Sequence, residues 1–203
     1  MQLIGLLDSP YVRRTAISLR LLGVPFEHRP LSVFREFDAV RVINPLVKVP
    51  TLVCDDGTQL LDSTLIIDYA ETLAARKLMP AEPAQHRRAL RWVGVALVVC
   101  EKTVQIHYEH KRAVERQDPD WLARISGQLR AACAVLEQEL RGVDEDTWLF
   151  GASLTQADVT LAVAWSFAQL LAADIVPAGD YPMLDAFAAR AERLPEFVAF
   201  PVN

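Results

Sequence analysis

Three short stretches in the first third of the chain carry residue types that bind anions and peptide groups. They are Ser9-Pro10, Lys48-Val49-Pro50 and Asp62-Ser63. The first and the last stand at the start of predicted helices, where a hydroxyl and the unpaired N–H groups of the first turn both stabilise a negative charge.

The elements that position Ser9-Pro10 read as a β-α-β unit. Leu3–Leu7 is a short apolar run, typical of a buried strand. Ser9 suits the N-cap and Pro10 the first helical position, and Gly23 ends the helix. Phe26–Leu31 predicts a second strand. Such a unit favours a right-handed crossover between parallel strands.

The next segment predicts a short helix, a β-hairpin and another helix. Phe34–Val42 is the short helix, and Asp55-Asp56-Gly57 is a turn between strands Thr51–Cys54 and Thr58–Leu61. Asp62-Ser63 opens the next helix, so the order of elements is β-α-β-α-β-β-α. We expect strand-end loops of this sheet to gather at one edge and to bring the three stretches together.

Beyond a proline-containing segment, strand patterns give way to helical ones. We predict an α/β domain over residues 1–77, a linker over 78–85 and an all-helical domain over 86–203. Thr155–Asp158 is typical of a capping box that starts an apolar, buried helix. The predicted helices are Gln85–Glu115, Trp121–Arg141, Val159–Ala173 and a last one from Tyr181-Pro182 to Pro195.

Composition excludes several classes of protein. The chain has 203 residues, 52% of them hydrophobic, and a net charge of −5, which disfavours nucleic acid as a partner. The longest apolar run, Trp92–Cys100, is far shorter than the roughly 20 residues of a membrane span. Three distant cysteines and no leader pattern predict a reduced, cytoplasmic protein. His107 and His110 lack a third ligand, so we predict no metal site.

Taken in order, three motifs resemble those of the cytosolic glutathione S-transferases, in particular a bacterial branch that uses serine. The resemblance covers nearly the whole chain and implies a thioredoxin-like first domain, an all-helical second domain and a homodimer. It also implies a detoxifying transferase with glutathione as co-substrate and a small hydrophobic electrophile as its other substrate. The motifs are Ser9–Arg13, Asn44–Leu52 and Leu61–Tyr69, and Thr155–Asp158 resembles the capping motif of the second domain.

The resemblance implies that Ser9 is the catalytic residue and stabilises the thiolate of glutathione. A free thiol has a pKa of about 8.5, and lowering it by about two units needs about 2.7 kcal/mol. A hydroxyl donating to an anion supplies about 1.5–3 kcal/mol, and a helix N-terminus about 0.3–1 kcal/mol. Tyr11 is a second hydroxyl in the same turn, and both remain open as the group that contacts the sulfur.

The other ligands of glutathione are also assigned by resemblance. Val49 presents its peptide group to the cysteinyl residue before a cis Pro50, and Lys48 pairs with the glycine carboxylate. Val47 stands where the family often has glycine, which leaves Lys48 the more open assignment. Asp62 and Ser63 hold the ammonium and the carboxylate of the γ-glutamyl end. The predicted electrophile pocket contains Pro10, Tyr11, Phe34 and Tyr108.

Two alternatives remain open at this stage. The first is a non-catalytic binding or stress-response protein with the same fold, against which the intact Ser9 and Asp62-Ser63 argue. The second keeps the glutathione site but performs isomerisation, dehalogenation or peroxide reduction. Nothing in the spacing of residues separates these reactions from conjugation, because electrophile pockets are built from scattered helical residues.

Overall fold

A computed structural model describes residues 1–144 and 146–202, and the chain divides into two compact units. The first unit contains Met1–Leu78 and the chain from Leu194 onward, and the second contains Met79–Arg193. The first is α/β and the second is helical, as the sequence predicts.

Four short strands form one mixed sheet in the first unit. Strand β1 pairs in parallel with β2 and antiparallel with β3, which pairs antiparallel with β4, so the order is β2-β1-β3-β4. The parallel β1–β2 pair confirms the predicted β-α-β unit. The strands are β1 (Gln2–Ile4), β2 (Glu27–Arg29), β3 (Thr51–Val53) and β4 (Gln59–Leu61).

The first and third helices of this unit begin at the predicted signals, whereas the short second helix, predicted over Phe34–Val42, begins three residues later. Gly23 follows the first helix with φ 70°, a left-handed conformation that costs glycine little. The core between helices and sheet is built from Leu3, Leu19, Leu52 and Ile66. The helices are α1 (Pro10–Leu22), α2 (Phe37–Ile43) and α3 (Ser63–Leu73).

The second unit is a bundle in which one long helix contacts two others. Helix α4 (Pro83–His110) packs against α5 (Pro119–Leu140) and α6 (Gln156–Ala172), and α7 (Pro182–Ala191) packs on α6. The prediction that α4 continues to Glu115 is wrong, because a 3₁₀ turn over Val114–Arg116 replaces its last turn.

The start of α6 is fixed by a buried carboxylate. Asp158 accepts hydrogen bonds from the backbone N–H and the hydroxyl of Thr155, at 2.7 Å and 2.6 Å. A third bond comes from the backbone N–H of Leu149. These contacts confirm the predicted capping box. Among residues 1–144 and 146–202, no helix is both long and apolar enough to cross a membrane.

A buried arginine ties the end of the chain to the first unit. Arg13 is only 1% exposed, which is rare for a charged side chain without a partner in the protein. Its Nε donates to the carbonyl of Phe200 at 2.8 Å, and its guanidinium lies 5.7 Å from the Phe197 ring centroid. Phe200 also stacks on Phe26. Helix α8 (Pro195–Val198) therefore packs in the first unit, although the sequence-based division counts 86–203 as one domain.

Truncating the fully buried Phe197 should weaken the first unit. We expect Phe197→Ala to lower the free energy of unfolding by about 3–5 kcal/mol, because it leaves a cavity and removes the face against which Arg13 packs. Denaturant unfolding followed by circular dichroism measures the change.

Val198 supplies the matched control, since it lies in the same helix but is 63% exposed. Val198→Ala should change the free energy of unfolding by less than about 0.5 kcal/mol. Equal effects of the two variants would contradict the packing of α8 as a core element.

Candidate active site

Ser9 caps α1 in the way that its position predicts. Its backbone is extended, with φ −75° and ψ 121°, and its Oγ accepts a hydrogen bond from the N–H of Val12 at 3.4 Å. Since the cap uses the oxygen as an acceptor, the hydroxyl proton remains for a different acceptor. The side chain is half-buried, so a ligand at this helix end can reach it.

The predicted pocket residues lie on three different elements. Pro10 and Tyr11 belong to the first turn of α1 beside Ser9, with Pro10 buried and Tyr11 half-buried. Phe34 is exposed in the turn before α2, and Tyr108 is exposed on α4 in the second unit. Their assignment to one electrophile pocket stays a prediction.

Two buried polar residues, Asn44 and Thr51, anchor the loop before β3 by hydrogen bonds. The Val49–Pro50 peptide bond is cis, as predicted. The amide nitrogen of Asn44 donates to the carbonyl of Lys48 at 3.3 Å and to the hydroxyl of Thr51 at 3.0 Å. Thr51 in turn donates to the carbonyl of Lys48 at 2.7 Å. The Lys48 backbone is therefore anchored, while its side chain is exposed.

Gly5 lets this loop approach the start of α1. A Cβ on Gly5 would lie 2.5 Å from Cγ2 of Val12 and 2.9 Å from Cβ of Val49, and the residue has φ 134°. A larger residue would therefore push Val49 and α1 apart. Within the described part of the chain, the N–H and C=O of Val49 make no hydrogen bond, so both groups are available to a peptide ligand.

Val47 adopts a conformation that is unfavourable for a β-branched residue. Its φ is 49°, and its N–H donates to the carbonyl of Asn44 at 2.9 Å. Left-handed backbone at valine costs of order 1–3 kcal/mol and persists only where the surroundings impose it. The bonds from Asn44 on both sides of Val47 supply that constraint.

Asp62 and Ser63 form the N-terminus of α3, where the first side chain is exposed and the second is buried. Asp62 has φ 70°, is exposed, and accepts through Oδ1 from the N–H groups of Thr64 and Leu65 at 2.7 Å and 3.4 Å. Ser63 is only 3% exposed, and its Oγ accepts from Nη1 of Arg14 at 2.9 Å. Arg14 belongs to α1, so the beginnings of the two helices are connected through side chains.

The three cysteines are buried side chains of the interior. All three cysteines are free and buried, as predicted. Burial raises the pKa of Cys54, with Asp56 adding to the effect, and burial raises the pKa of Cys133 to about 12. Both are therefore protonated at neutral pH. Over residues 1–144 and 146–202, no three His, Cys, Asp or Glu side chains cluster as metal ligands.

Sequence reasoning missed three residues whose contacts hold the loop before β3 and the starts of α1 and α3 in place. At Asn44 the sequence indicates only the end of a helix, because Pro45 follows. At Gly5 it indicates only a position inside a strand. Arg14 carries no signal beyond its charge. A glycine inside a strand pattern does indicate close backbone approach, and that signal was present at Gly5.

Two family profiles match the chain, one within each unit. The profile described as "Glutathione S-transferase, N-terminal domain" matches residues 3–78, and "Glutathione S-transferase, C-terminal domain" matches residues 119–190. The Escherichia coli K12 "Uncharacterized GST-like protein YibF" is 30% identical over 138 residues, which is 68% of each chain. Maleylacetoacetate isomerase of Pseudomonas aeruginosa is 30% identical over 164 residues, 73% of this chain and 72% of the isomerase.

A solved structure extends the likeness to nearly the whole chain. A glutathione S-transferase of Methylobacterium radiotolerans, in complex with glutathione sulfonate, is 25% identical with a TM-score of 0.89. The match covers 98% of this chain and 92% of that one. The predicted thioredoxin-like domain followed by a helical domain is confirmed.

Relieving the backbone of Val47 should stabilise the protein. We expect Val47→Gly to raise the free energy of unfolding by about 0.5–1.5 kcal/mol, because the strain that it removes exceeds the extra entropy of glycine in the unfolded chain. Denaturant unfolding measures the difference.

Val42→Gly is the comparison, since Val42 is 87% exposed and helical. Glycine there should lower the free energy of unfolding by about 0.5 kcal/mol. A loss of stability in both variants would show that the φ of Val47 carries no strain.

Proposed function

The chain belongs to the glutathione S-transferase family, and on that premise we propose a glutathione transferase of the serine type. In this proposal, Ser9 stabilises the thiolate of glutathione for attack on a small hydrophobic electrophile. The observation that carries the proposal is the geometry of Ser9, whose oxygen caps α1 and whose proton is left for an anion. The thiol proton passes to water, and the sulfur forms its new bond as the leaving group departs with an electron pair.

In this proposal, the loop before β3 contacts the cysteinyl and glycyl residues of glutathione. The unbonded N–H and C=O of Val49 pair with the backbone of the cysteinyl residue, next to the cis Pro50. Lys48 is exposed, so an ion pair with the glycine carboxylate contributes at most about 1 kcal/mol. Removing Lys48 should therefore weaken binding modestly.

The γ-glutamyl group is held at the start of α3. Its carboxylate accepts a hydrogen bond from the hydroxyl of Ser63 and lies at the start of the helix, where the helix dipole favours negative charge. Its ammonium pairs with the exposed carboxylate of Asp62, whose hydrogen bonds to the helix all use Oδ1. The carboxylate thus meets a hydrogen-bond donor at the positive end of a helix dipole, and the ammonium meets the carboxylate of the adjacent residue.

The proposal includes the electrophile pocket and the assembly. In the first unit, Tyr11 and Phe34 supply aromatic surface for the electrophile next to Pro10, Tyr108 is a further candidate that the family resemblance assigns, and the protein acts as a cytoplasmic homodimer. These assignments rest on family resemblance and on the exposure of Phe34 and Tyr108.

Isomerisation is the second candidate, favoured by the likeness to maleylacetoacetate isomerase. In such a reaction, the thiolate adds to a conjugated carbon, the adjacent bond rotates and the sulfur leaves again. Glutathione is then regenerated, whereas conjugation consumes one glutathione per turnover. The same Ser9, Val49, Asp62 and Ser63 serve both reactions.

Variants of Ser9 separate proton donation from helix capping. Ser9→Ala should lower kcat by about 10- to 100-fold, because it removes a hydrogen bond to an anion worth about 1.5–3 kcal/mol. Ser9→Thr keeps the proton and the cap, so it should retain more turnover than Ser9→Ala.

Ser9→Asp is the sharpest control, since aspartate caps a helix but donates no proton when ionised. It should preserve the thermal stability of the wild type while losing turnover. Full turnover in Ser9→Ala or Ser9→Asp would remove Ser9 from the mechanism and favour Tyr11.

The fate of glutathione distinguishes the two reactions. With generic chlorinated and conjugated electrophiles, conjugation should consume thiol in proportion to product. With a cis-configured conjugated diacid, an isomerase should form product while free thiol, measured by a colorimetric reagent, stays constant. Bound glutathione without either reaction would instead favour the non-catalytic reading.

A further inference from the structure

Strand β2 holds both hydrogen-bonding groups of Gly5, the residue that follows β1. The N–H of Gly5 donates to the carbonyl of Arg29 at 3.1 Å. The carbonyl of Gly5 lies 2.7 Å from Nε2 of His28. Gly5 is buried, so its carbonyl is shielded from water and depends on a partner within the protein. The side chain of His28 is that partner.

This contact determines which ring nitrogen of His28 carries a proton. A carbonyl oxygen only accepts, so Nε2 is the donor. Because a neutral imidazole has a single N–H, the neutral ring must be the Nε2–H tautomer. The imidazolium cation donates from the same nitrogen. The half-buried side chain therefore donates to Gly5 in both charge states.

Gly5 begins the turn that leads to Ser9. The carbonyl of Gly5 and the N–H of Leu6 belong to one planar peptide group, so the bond from His28 orients that group. The carbonyl of Leu6 then accepts from the N–H of Ser9 at 3.2 Å. A line of hydrogen bonds and peptide groups thus connects the imidazole of β2 to the residue that caps α1.

Gly5 also borders the loop of Val49, which has anchors of its own. A Cβ on Gly5 would lie 2.9 Å from Cβ of Val49, so the two backbones are close. Asn44 and Thr51 hold that loop without any contribution from β2. The bond from His28 therefore acts on the turn before α1 and on its distance from an independently anchored loop.

We propose that His28 is a positioning residue for the hydroxyl of Ser9. It acts through the carbonyl of Gly5 and sets the spacing between Ser9 and Val49. The role rests on the proposed function, in which these two residues bind the sulfur and the backbone of the same cysteinyl group. Small displacements between groups that hold neighbouring atoms of one ligand lower turnover strongly.

Three substitutions of His28 separate the donor from the bulk of the side chain. His28→Leu removes the donor. His28→Gln keeps an amide nitrogen at a reach similar to that of Nε2, whereas the amide of His28→Asn is one methylene shorter. The substrates are a chlorinated nitroarene and a cis-configured conjugated diacid, calorimetry measures the Kd of glutathione, and ultraviolet titration measures the ionisation midpoint of the bound thiol.

Gln2→Leu is the matched control. Gln2 is half-buried in β1, donates to Glu27 and accepts from Arg29, both of β2. The substitution therefore removes side-chain bonds between β1 and β2 and keeps the bond to the carbonyl of Gly5. It should lower the thermal stability and leave kcat and the midpoint of the bound thiol as in the wild type.

We expect His28→Leu to lower kcat about tenfold, because the hydroxyl of Ser9 is no longer held at the sulfur. The midpoint of the bound thiol should move towards its value in buffer. The Kd of glutathione should change by less than about threefold, since the contacts of Val49, Asp62 and Ser63 remain. His28→Gln should recover most of kcat, and His28→Asn should resemble His28→Leu.

The outcomes separate the positioning role from the proposed function. A wild type that converts neither substrate overturns both. An active wild type with unchanged kcat in His28→Leu overturns the positioning role alone. The same conclusion follows if His28→Gln is as slow as His28→Leu, if Gln2→Leu loses as much turnover, or if stability falls while the midpoint of the bound thiol stays in place.

Nuclear magnetic resonance of the wild type keeps the test decisive if the variants do not fold. The nitrogen chemical shifts of an imidazole distinguish its two neutral tautomers. At a pH at which the ring is neutral, we expect His28 to be the Nε2–H tautomer, coupled across the hydrogen bond to the carbonyl carbon of Gly5. The Nδ1–H tautomer would leave that carbonyl without a donor and would overturn the role.

Discussion

The proposed ligand site depends on serine hydroxyls whose oxygen accepts one hydrogen bond and whose proton is left to donate another. At Ser9, the oxygen accepts from the backbone of α1, and at Ser63 it accepts from Arg14. In each case the proton is left for a ligand at the positive end of a helix. A neutral side chain thereby stabilises an anion without the cost of burying a charge of its own. In the proposed site, Ser9 donates its proton to the sulfur of glutathione, and Ser63 donates its proton to the γ-glutamyl carboxylate.

The remaining parts of the site act by holding these groups at fixed places. Gly5 allows the loop of Val49 to lie against the start of α1. Asn44 and Thr51 anchor that loop by hydrogen bonds. The strained φ of Val47 is a consequence of this anchoring. Because each support is buried or backbone-mediated, the proposed site is formed without a ligand, which would limit the ordering cost of binding.

Local signals in the sequence predicted the order of elements and the residues that cap the helices. Ser9-Pro10, Gly23 and the capping box at Thr155–Asp158 each act within one turn of chain, so their geometry could be predicted from spacing. The cis bond at Val49–Pro50 followed from family resemblance, because an isolated X-Pro bond favours trans.

Contacts between distant segments could not be predicted in the same way. Arg13 and Arg14 are neighbours of one residue type, and their different roles arise from acceptors 187 and 49 positions away. The packing of the chain after Leu194 into the first unit has the same origin. Sequence gives the charge of an arginine but neither its depth nor its acceptor.

The ionisation of bound glutathione tests the central claim most directly. The ultraviolet absorbance of its thiolate, titrated with pH in the presence of saturating protein, reports the pKa of the sulfur in the site. The free thiol has a pKa of about 8.5, and bound to this protein its midpoint should lie about two units lower. A midpoint equal to that in buffer would contradict the stabilisation of the thiolate by Ser9 and the N-terminus of α1.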